Sequence, residues 1–189
     1  MSTCPFALSL VGTVPASNYS AGPVPKAGAA VHVIVGSAES AVNEFQSPNV
    51  QLSATYVIAG PNDKWPDGTL LQLLDNQDVC YAQGNGNWPP DSHNAIEVAG
   101  TPDQPMSDPQ LTTLRHALMW DSQDCGYPLS TVIVPHGTPG VTAHCNPDGS
   151  PDPNWGNHDC PGPIRLAQLA QLLGAITPAT DAGGLIQWL

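Results

Sequence analysis

Short apolar runs separated by segments rich in Pro and Gly dominate the chain. Residues 31–36 (VHVIVG) form a β-branched run that is typical of a buried strand. Residues 50–60 and 69–74 are further runs of this kind, and the Pro-Asp-Gly turn signal between them predicts an antiparallel hairpin. Residues 79–83 and 94–100 are shorter strand candidates. The pattern therefore predicts a sheet built from several short strands.

The clearest helical periodicity begins near residue 108. Asp108 is the expected N-cap, and Pro109 occupies the first helical position, where a missing N–H is tolerated. One face of this segment carries three leucines at helical spacing: Leu111, Leu114 and Leu118. The sequence thus predicts an amphipathic helix that packs against the sheet.

Two further helices and one more strand complete the predicted set of elements. Residues 39–45 form a short helix candidate, and residues 163–176 form a longer one that ends before Pro178. Residues 130–134 (STVIV) are a strand candidate between them. Strands that alternate with helices predict an α/β fold with helices on the faces of a sheet. The hairpin makes that sheet mixed, with parallel and antiparallel pairs.

The length of 189 residues suits one domain with a substantial core. Neither an internal repeat nor a low-complexity linker divides the sequence. We therefore expect an N-terminal extension over residues 1–28, one α/β domain over residues 29–176 and a C-terminal tail over residues 177–189. Hydrophobic residues make up 41% and charged residues 11% of the chain, a balance that argues against disorder.

The charge balance excludes some classes of partner. Four basic residues against 16 acidic ones give a formal charge of −12, so a nucleic-acid backbone would be repelled. The sequence has no apolar run of about 18 residues that could span a membrane. The N-terminus lacks the positive region of a secretory signal peptide, and we expect no secretion by that route.

Residues 143–163 concentrate the reactive side chains. His144, Cys145, His158 and Cys160 are donor types that zinc prefers, and hydrolytic zinc sites combine three protein ligands with a water molecule. The path of this loop is unknown from sequence. Three alternatives therefore stay open: a metal site, a disulfide such as Cys145 to Cys160, and simple buried thiols.

The order of the segments resembles the zinc-dependent N-acetylmuramoyl-L-alanine amidases, whose fold is shared with peptidoglycan recognition proteins. PGVTAHC followed by HDCPGP resembles the end of that family's domain, and NVQLSATYVIAG with DGTLLQLL resembles its hairpin. DVCYAQGNGN is similar to a segment that lines its substrate cleft, and NAIEVAG is similar to one of its strands. The resemblance covers about residues 31–173.

The resemblance implies catalytic or metal-binding roles for four residues and substrate binding for three more. His144 and Cys160 match two zinc ligands of the family, and Glu97 matches the carboxylate that serves as general base. His158 matches a residue that stabilises the oxyanion of the tetrahedral intermediate. An outward-facing Glu97 and a solvated His158 are the alternative interpretations. The implied substrate-binding residues are Tyr56, Tyr81 and Asn94.

The sequence departs from the family at two positions. Aligning Ser37 and Ala38 with the family's first-strand motif places Val35 where the first zinc-ligand histidine lies. His32 lies three residues earlier, and strand alternation would aim it at the opposite face unless a bulge re-aimed it. Thr55 replaces a histidine of the cleft. The resemblance therefore implies a zinc site that lacks one ligand.

Two functions follow from this resemblance. The first is a peptidoglycan-directed protein with impaired or lost catalysis, which binds the cell wall or serves as a structural part of a phage particle alongside other virion proteins. The second is an active zinc amidase that cleaves the amide between the lactyl group and L-alanine. Both imply a phage-encoded protein in a virion or at the bacterial wall, and Zn²⁺ is the expected cofactor of the second.

The remaining histidines and tryptophans receive simpler interpretations. His93 and His136 lie in polar or Pro-Gly loops, where a solvated side chain is expected. Trp65, Trp88 and Trp155 also fall in loops, and we favour ordinary packing over stacking on sugar rings.

Overall fold

The computed structural model describes residues 2–176. The strands are β1 Leu8–Ser9, β2 Tyr19–Ser20, β3 Gly28–Val35, β4 Tyr56–Ile58, β5 Leu70–Gln72, β6 Val79–Cys80, β7 His93–Gly100 and β8 Gly140–Ala143. The helices are α1 Ala38–Phe45, α2 Asp108–Cys125 and α3 Pro163–Ala175, with 3-10 turns at Gly84–Asn87 and Pro153–Trp155. The predicted tail over residues 177–189 and the stop at Pro178 lie outside the described residues.

Within the described part of the chain, six strands form a central mixed sheet in the order β1-β5-β4-β7-β3-β8. β3 lies between β7 and β8 and runs parallel to both, while β4 runs parallel to β7 and antiparallel to β5. The predicted hairpin and the predicted mixture of strand directions are both confirmed. β2 and β6 form a separate antiparallel pair.

Helices cover both faces of the sheet. On one face, α2 and α3 enclose an apolar cluster that includes Tyr56, Ile96 and Leu169. On the other face, α1 packs its buried side chains Val42 and Phe45 against the sheet. Removal of this much apolar surface from water is the main force that stabilises such a fold. The chain is thus a single α/β domain with a helix-flanked sheet, and no described helix has the length and apolar character needed to cross a membrane.

Residues before β3 contribute to this body. β1 extends the central sheet by pairing with β5, and β2 pairs with β6. The Cys4 side chain is 1% exposed, and its backbone N–H donates to the Gln72 Oε1 atom over 2.7 Å. The N-terminal segment therefore packs against the sheet that carries the candidate site.

Two predictions about local structure need correction. The N-cap of α2 is Ser107, one residue before the predicted Asp108, since Ser107 Oγ accepts from the Gln110 backbone and Gln110 Oε1 accepts from the Ser107 backbone. This reciprocal pair is a capping box, which Ser forms with a Gln three residues later. The predicted strand over residues 130–134 is absent from the described sheet, because β8 occupies the edge beside β3 instead.

Candidate metal centre

The register of three parallel strands brings distant side chains together. His32 in β3 pairs with Glu97 in β7, and the neighbouring Val31 pairs with Ala143 at the end of β8. Paired residues of adjacent strands point to the same face of a sheet, since side chains alternate along each strand. His144 follows Ala143 and therefore lies on the same face as His32 and Glu97.

His32, His144 and Cys160 form a cluster whose ligand atoms all lie within 4.8 Å of one another. The two imidazole rings have centroids 4.5 Å apart. Cys160 reaches the cluster from the loop that precedes α3, and its Sγ accepts a hydrogen bond from the Val33 backbone N–H over 3.1 Å. The three donors thus come from β3, from the residue directly after β8 and from the loop before α3.

The structure groups His32, rather than Val35, with His144 and Cys160. Val35 lies at the end of β3, its side chain is 76% exposed, and it lines only the rim of the cleft. His32, which strand alternation and motif alignment together placed on the wrong face, occupies the position beside His144 and Cys160. No bulge is required, because β3 pairs continuously with β7 from residue 28 to residue 35.

Burial sets the charge states of the cluster. It lowers the pKa of His32 well below the ordinary value and that of His144 to about 4, so both imidazoles are neutral near pH 7. Burial, followed by the neighbouring Glu97 carboxylate, raises the pKa of the Cys160 thiol. Neutral imidazole is the form that binds a metal, and a bound cation reverses the effect of burial on a thiol.

This donor set fits zinc. Two imidazoles and one thiolate make a three-ligand site that leaves a fourth position open, as in hydrolytic zinc enzymes. Zinc lies about 2.0–2.3 Å from its ligands, so a tetrahedral site needs donor atoms roughly 4 Å apart or less. The donor atoms lie within 4.8 Å of one another, so a small inward movement of the side chains would bring them to the spacing that zinc needs. All five cysteines are free thiols, so Cys145 and Cys160 are not joined in a disulfide.

Two further polar groups face the cluster. Glu97 Oε1 lies 3.9 Å from His32 Nδ1, and burial raises the pKa of this carboxyl to about 8. His158, two residues before Cys160, is exposed, and its ring centroid lies 5.1 Å from that of His144. Both line the same cleft as the cluster. The arrangement combines a metal-binding triad with one side chain suited to proton transfer and one suited to hydrogen bonding.

By sequence, the chain matches no protein-family model and no curated protein. Solved structures do match. The endolysin N-acetylmuramoyl-L-alanine amidase LysCS from Clostridium intestinale URNW superimposes with a TM-score of 0.58 at 13% identity, over 90% of this chain and 96% of that one. A selenomethionine derivative of AmpD gives the same TM-score and coverage at 16% identity. The Drosophila peptidoglycan recognition protein PGRP-SD gives 0.54 at 12% identity, over 87% and 94%.

This chain has the amidase and peptidoglycan recognition protein fold. The match extends over nearly the whole of each of these three structures, so the resemblance seen in the sequence motifs reflects shared architecture. At such low identity the comparison establishes the fold, and the chemistry rests on the side chains described above.

Two of the three implied substrate-binding residues are buried in the amidase fold. Tyr56 is 0% exposed among the apolar residues beneath α2 and α3, and its hydroxyl bonds the Asn76 side chain. Asn94 is also 0% exposed, and its amide donates to Asp121 Oδ1 over 2.8 Å. Neither can touch a substrate without rearrangement of the core. Tyr81 is partly exposed, and its hydroxyl lies 2.6 Å from Ser20 Oγ.

His93 and His136 are not solvated, contrary to the sequence-based expectation. His93 is fully buried, and its Nδ1 lies 2.5 Å from the Asp91 carbonyl oxygen. His136 bonds the Asp152 carboxylate over 2.7 Å and the Ala143 carbonyl oxygen over 2.9 Å. Its ring also stacks on Trp155 at a centroid distance of 3.7 Å, which agrees with the packing role expected for that tryptophan. Both histidines thus support the surroundings of the cluster.

Sequence reasoning missed Gln83, whose Oε1 atom lies 3.1 Å from His32 Nε2. The residue belongs to the motif that resembles a cleft-lining segment, which was the only available signal. Nothing in the spacing of the chain indicates which histidine Gln83 contacts, because that contact depends on how the segment after β6 packs against β3.

Proposed function

We propose that this protein is a zinc-dependent amidase that acts on bacterial peptidoglycan and cleaves the amide between the lactyl group of N-acetylmuramic acid and L-alanine. The observation that carries the proposal is the convergence of His32, His144 and Cys160 within 4.8 Å, beside Glu97. The named activity of LysCS, whose fold this chain shares, supports the choice of substrate.

Zinc bound by His32, His144 and Cys160 would polarise the scissile carbonyl and increase the acidity of water. Glu97 accepts a proton from the attacking water and transfers it to the departing amine of L-alanine. Burial raises the pKa of Glu97 to about 8, which favours the protonated carboxyl at pH 7. A cation bound nearby would lower this pKa and favour the carboxylate, which is the form that accepts the proton.

His158 donates a hydrogen bond to the developing oxyanion. Its exposed side chain, 5.1 Å from the His144 ring, can reach a carbonyl oxygen bound in the cleft. Substrate approaches from the open side, where Val35 and Asp159 form part of the rim. Glu97 thus transfers the proton, while His158 stabilises the negative charge on the carbonyl oxygen.

A phage-encoded protein that acts at the bacterial wall agrees with this activity, and the endolysin LysCS supports that assignment. A second candidate function is peptidoglycan binding without hydrolysis, as in a wall-binding or virion component. The observation that favours it is Thr55, which is fully buried where the resemblance implies a cleft histidine. Its Oγ1 donates to Asn94 Oδ1 over 3.1 Å, so the side chain is committed to a hydrogen bond in the interior.

Digestion of purified peptidoglycan separates the two candidates. The zinc-loaded protein should release stem peptides with a new L-alanine amino terminus, which mass spectrometry identifies. Chelation should stop release, and added zinc should restore it. Co-sedimentation with peptidoglycan without any new amino terminus would contradict the amidase proposal and support the binding function.

A further inference from the structure

Gln83 is a fully buried side chain with no part in the proposed chemistry, yet it contacts one of the metal-binding residues. Its Oε1 lies 3.1 Å from His32 Nε2. Metal-binding histidines generally use one ring nitrogen for the metal and donate the other N–H to a neighbouring acceptor. The identity of that acceptor decides which nitrogen carries the proton.

The hydrogen bonds of the Gln83 amide fix its orientation. Its Nε2 lies 2.6 Å from the His93 carbonyl oxygen and 3.3 Å from the Gly86 carbonyl oxygen. Carbonyl oxygens only accept, so the NH₂ group must face them. The carbonyl oxygen of the amide therefore faces His32, and the partner atom of His32 must donate. A proton on Nε2 makes Nδ1 the ring nitrogen that can offer a lone pair to a metal.

The surrounding backbone holds Gln83 in place. Its own N–H donates to Asn87 Oδ1 over 2.9 Å, and its carbonyl accepts from the Gly86 N–H over 3.0 Å. Trp155 packs so closely on Gly86 that a Cβ there would lie 2.4 Å from the indole ring. The loop that carries Cys160 thus packs against the 3-10 turn that holds Gln83 in place.

We propose that Gln83 is a positioning residue that keeps His32 in the Nε2-protonated tautomer, so that Nδ1 is the atom offered to the metal. Nδ1 faces the cleft, as its 3.9 Å separation from Glu97 Oε1 shows. The part of this inference that concerns the metal rests on the proposed function. The tautomer itself does not, because the contacts that set it are present in the protein alone.

The tautomer can be read in the metal-free protein by long-range nitrogen–proton NMR of the imidazole rings. Wild-type protein should show His32 protonated at Nε2 alone. Gln83→Met should remove this preference and produce a mixture or the opposite tautomer. Protonation at Nδ1 in the wild type, or an unchanged spectrum in Gln83→Met, would overturn the inference.

Zinc affinity supplies a second measurement, by competition with a chelator. Gln83→Met should weaken binding by about 10- to 100-fold, the usual effect of removing such a partner. Gln72→Met is the matched control: Gln72 is equally buried, and its Nε2 also donates to carbonyl oxygens, those of Ser2 and Leu74, away from the cluster. The control should bind zinc like the wild type, and equal affinity in both variants would contradict the role of Gln83.

The two measurements separate this inference from the proposed function. If the wild type shows the Nε2-protonated tautomer but binds no zinc, the proposed function fails while the orientation of His32 by Gln83 stands. If zinc binds and peptidoglycan is cleaved but His32 is protonated at Nδ1, the proposed function survives and this inference fails.

Discussion

Glu97 is a carboxyl group whose neutral form is favoured by its surroundings in the fold. It lies between Ile96 and Val98 on β7, where burial disfavours the charged form and raises the pKa to about 8. Perturbed carboxyl groups of this kind cluster at functional sites, since a structural carboxylate would normally be paired or exposed. The position of Glu97 beside His32 therefore supports a role in proton transfer.

The variant Glu97→Gln tests this role at the level of one side chain. The amide has nearly the same shape but cannot take up a proton, so we expect hydrolysis of muropeptides to fall by about 10²- to 10⁴-fold. Zinc content should stay at the wild-type level because Glu97 is not one of the clustered ligands. Undiminished hydrolysis in this variant would contradict the assignment of Glu97 as the base.

Asp121 provides a prediction about pH and stability that is independent of the cleft. It is fully buried, it accepts from Asn94 and Tyr127, and burial raises its pKa to about 6. The folded state then binds the proton more tightly than the unfolded state, whose pKa is near 3.8. The carboxyl thus stabilises the fold below pH 4, and this contribution is lost as the pH rises through about 6.

Asp121→Asn should remove that dependence. Between pH 4 and pH 7 the free energy of unfolding of the wild type should fall relative to the variant, by roughly 3 kcal/mol for a shift of about two pKa units. Urea denaturation of both proteins across this range measures the difference. Parallel stability profiles would contradict the account of Asp121.

The loop between β8 and α3 carries both Cys160 and His158, so its conformation determines where these two side chains lie. Asp152 anchors its 3-10 turn: Oδ1 accepts from the Asn154 backbone, and Oδ2 bonds His136 over 2.7 Å. His136 in turn bonds the Ala143 carbonyl, one residue before His144. The loop is therefore tied to the end of the strand that leads to His144.

Asp152→Ala should loosen this loop. Loss of the carboxylate leaves His136 without one partner, and we expect the free energy of unfolding to drop by about 1–3 kcal/mol at pH 7. Contact with His136 lowers the pKa of Asp152, so the difference from wild type should shrink as the pH falls below about 4. Denaturant titration at two pH values checks both statements.

Asp148→Ala is the matched control for that experiment. Asp148 lies in the same loop, but it is exposed and bonds only Ser150 among the described contacts. We expect it to leave the free energy of unfolding close to that of the wild type, since substitutions of exposed residues usually have little effect. A similar loss in both variants would show that the Asp152–His136 contact has no special part in holding the loop.

The sequence predicted most elements because their signals are local. The β-branched run before Gly36 predicted β3, and the Pro-Asp-Gly turn predicted the hairpin. The strand predicted over residues 130–134 is wrong, because an apolar run indicates burial but does not show which segment pairs with β3. Residues 140–143 form that strand instead. The site was harder, because the neighbour of His144 depends on strand register. Counting from Ser37 pointed to Val35, whereas pairing of β3 with β7 and β8 places His32 there.

At the scale of the whole molecule, the three clustered ligands come from β3, the end of β8 and the loop before α3. A metal bound by all three would join parts of the chain that are more than 100 residues apart in sequence, as His32 and His144 are. Binding to the folded state alone stabilises it, by about 2.7 kcal/mol at a free zinc concentration 100 times Kd.

Thermal denaturation with and without zinc measures this coupling. Removal of zinc by a chelator should lower the Tm, and added zinc should restore it. His144→Ala should show no response to either treatment, because its site lacks one donor. A Tm of the wild type that is insensitive to both chelator and zinc would contradict the coupling of metal binding to the fold.

Elemental mass spectrometry of three purified proteins measures whether His32 completes a zinc site with His144 and Cys160. We expect one zinc per chain in the wild type and in Val35→Ala, since the Val35 side chain is 76% exposed and is not one of the clustered donors. We expect His32→Ala to retain essentially none. Full zinc content in His32→Ala, or a wild type that binds no zinc, would contradict the claim that His32 completes a metal site with His144 and Cys160.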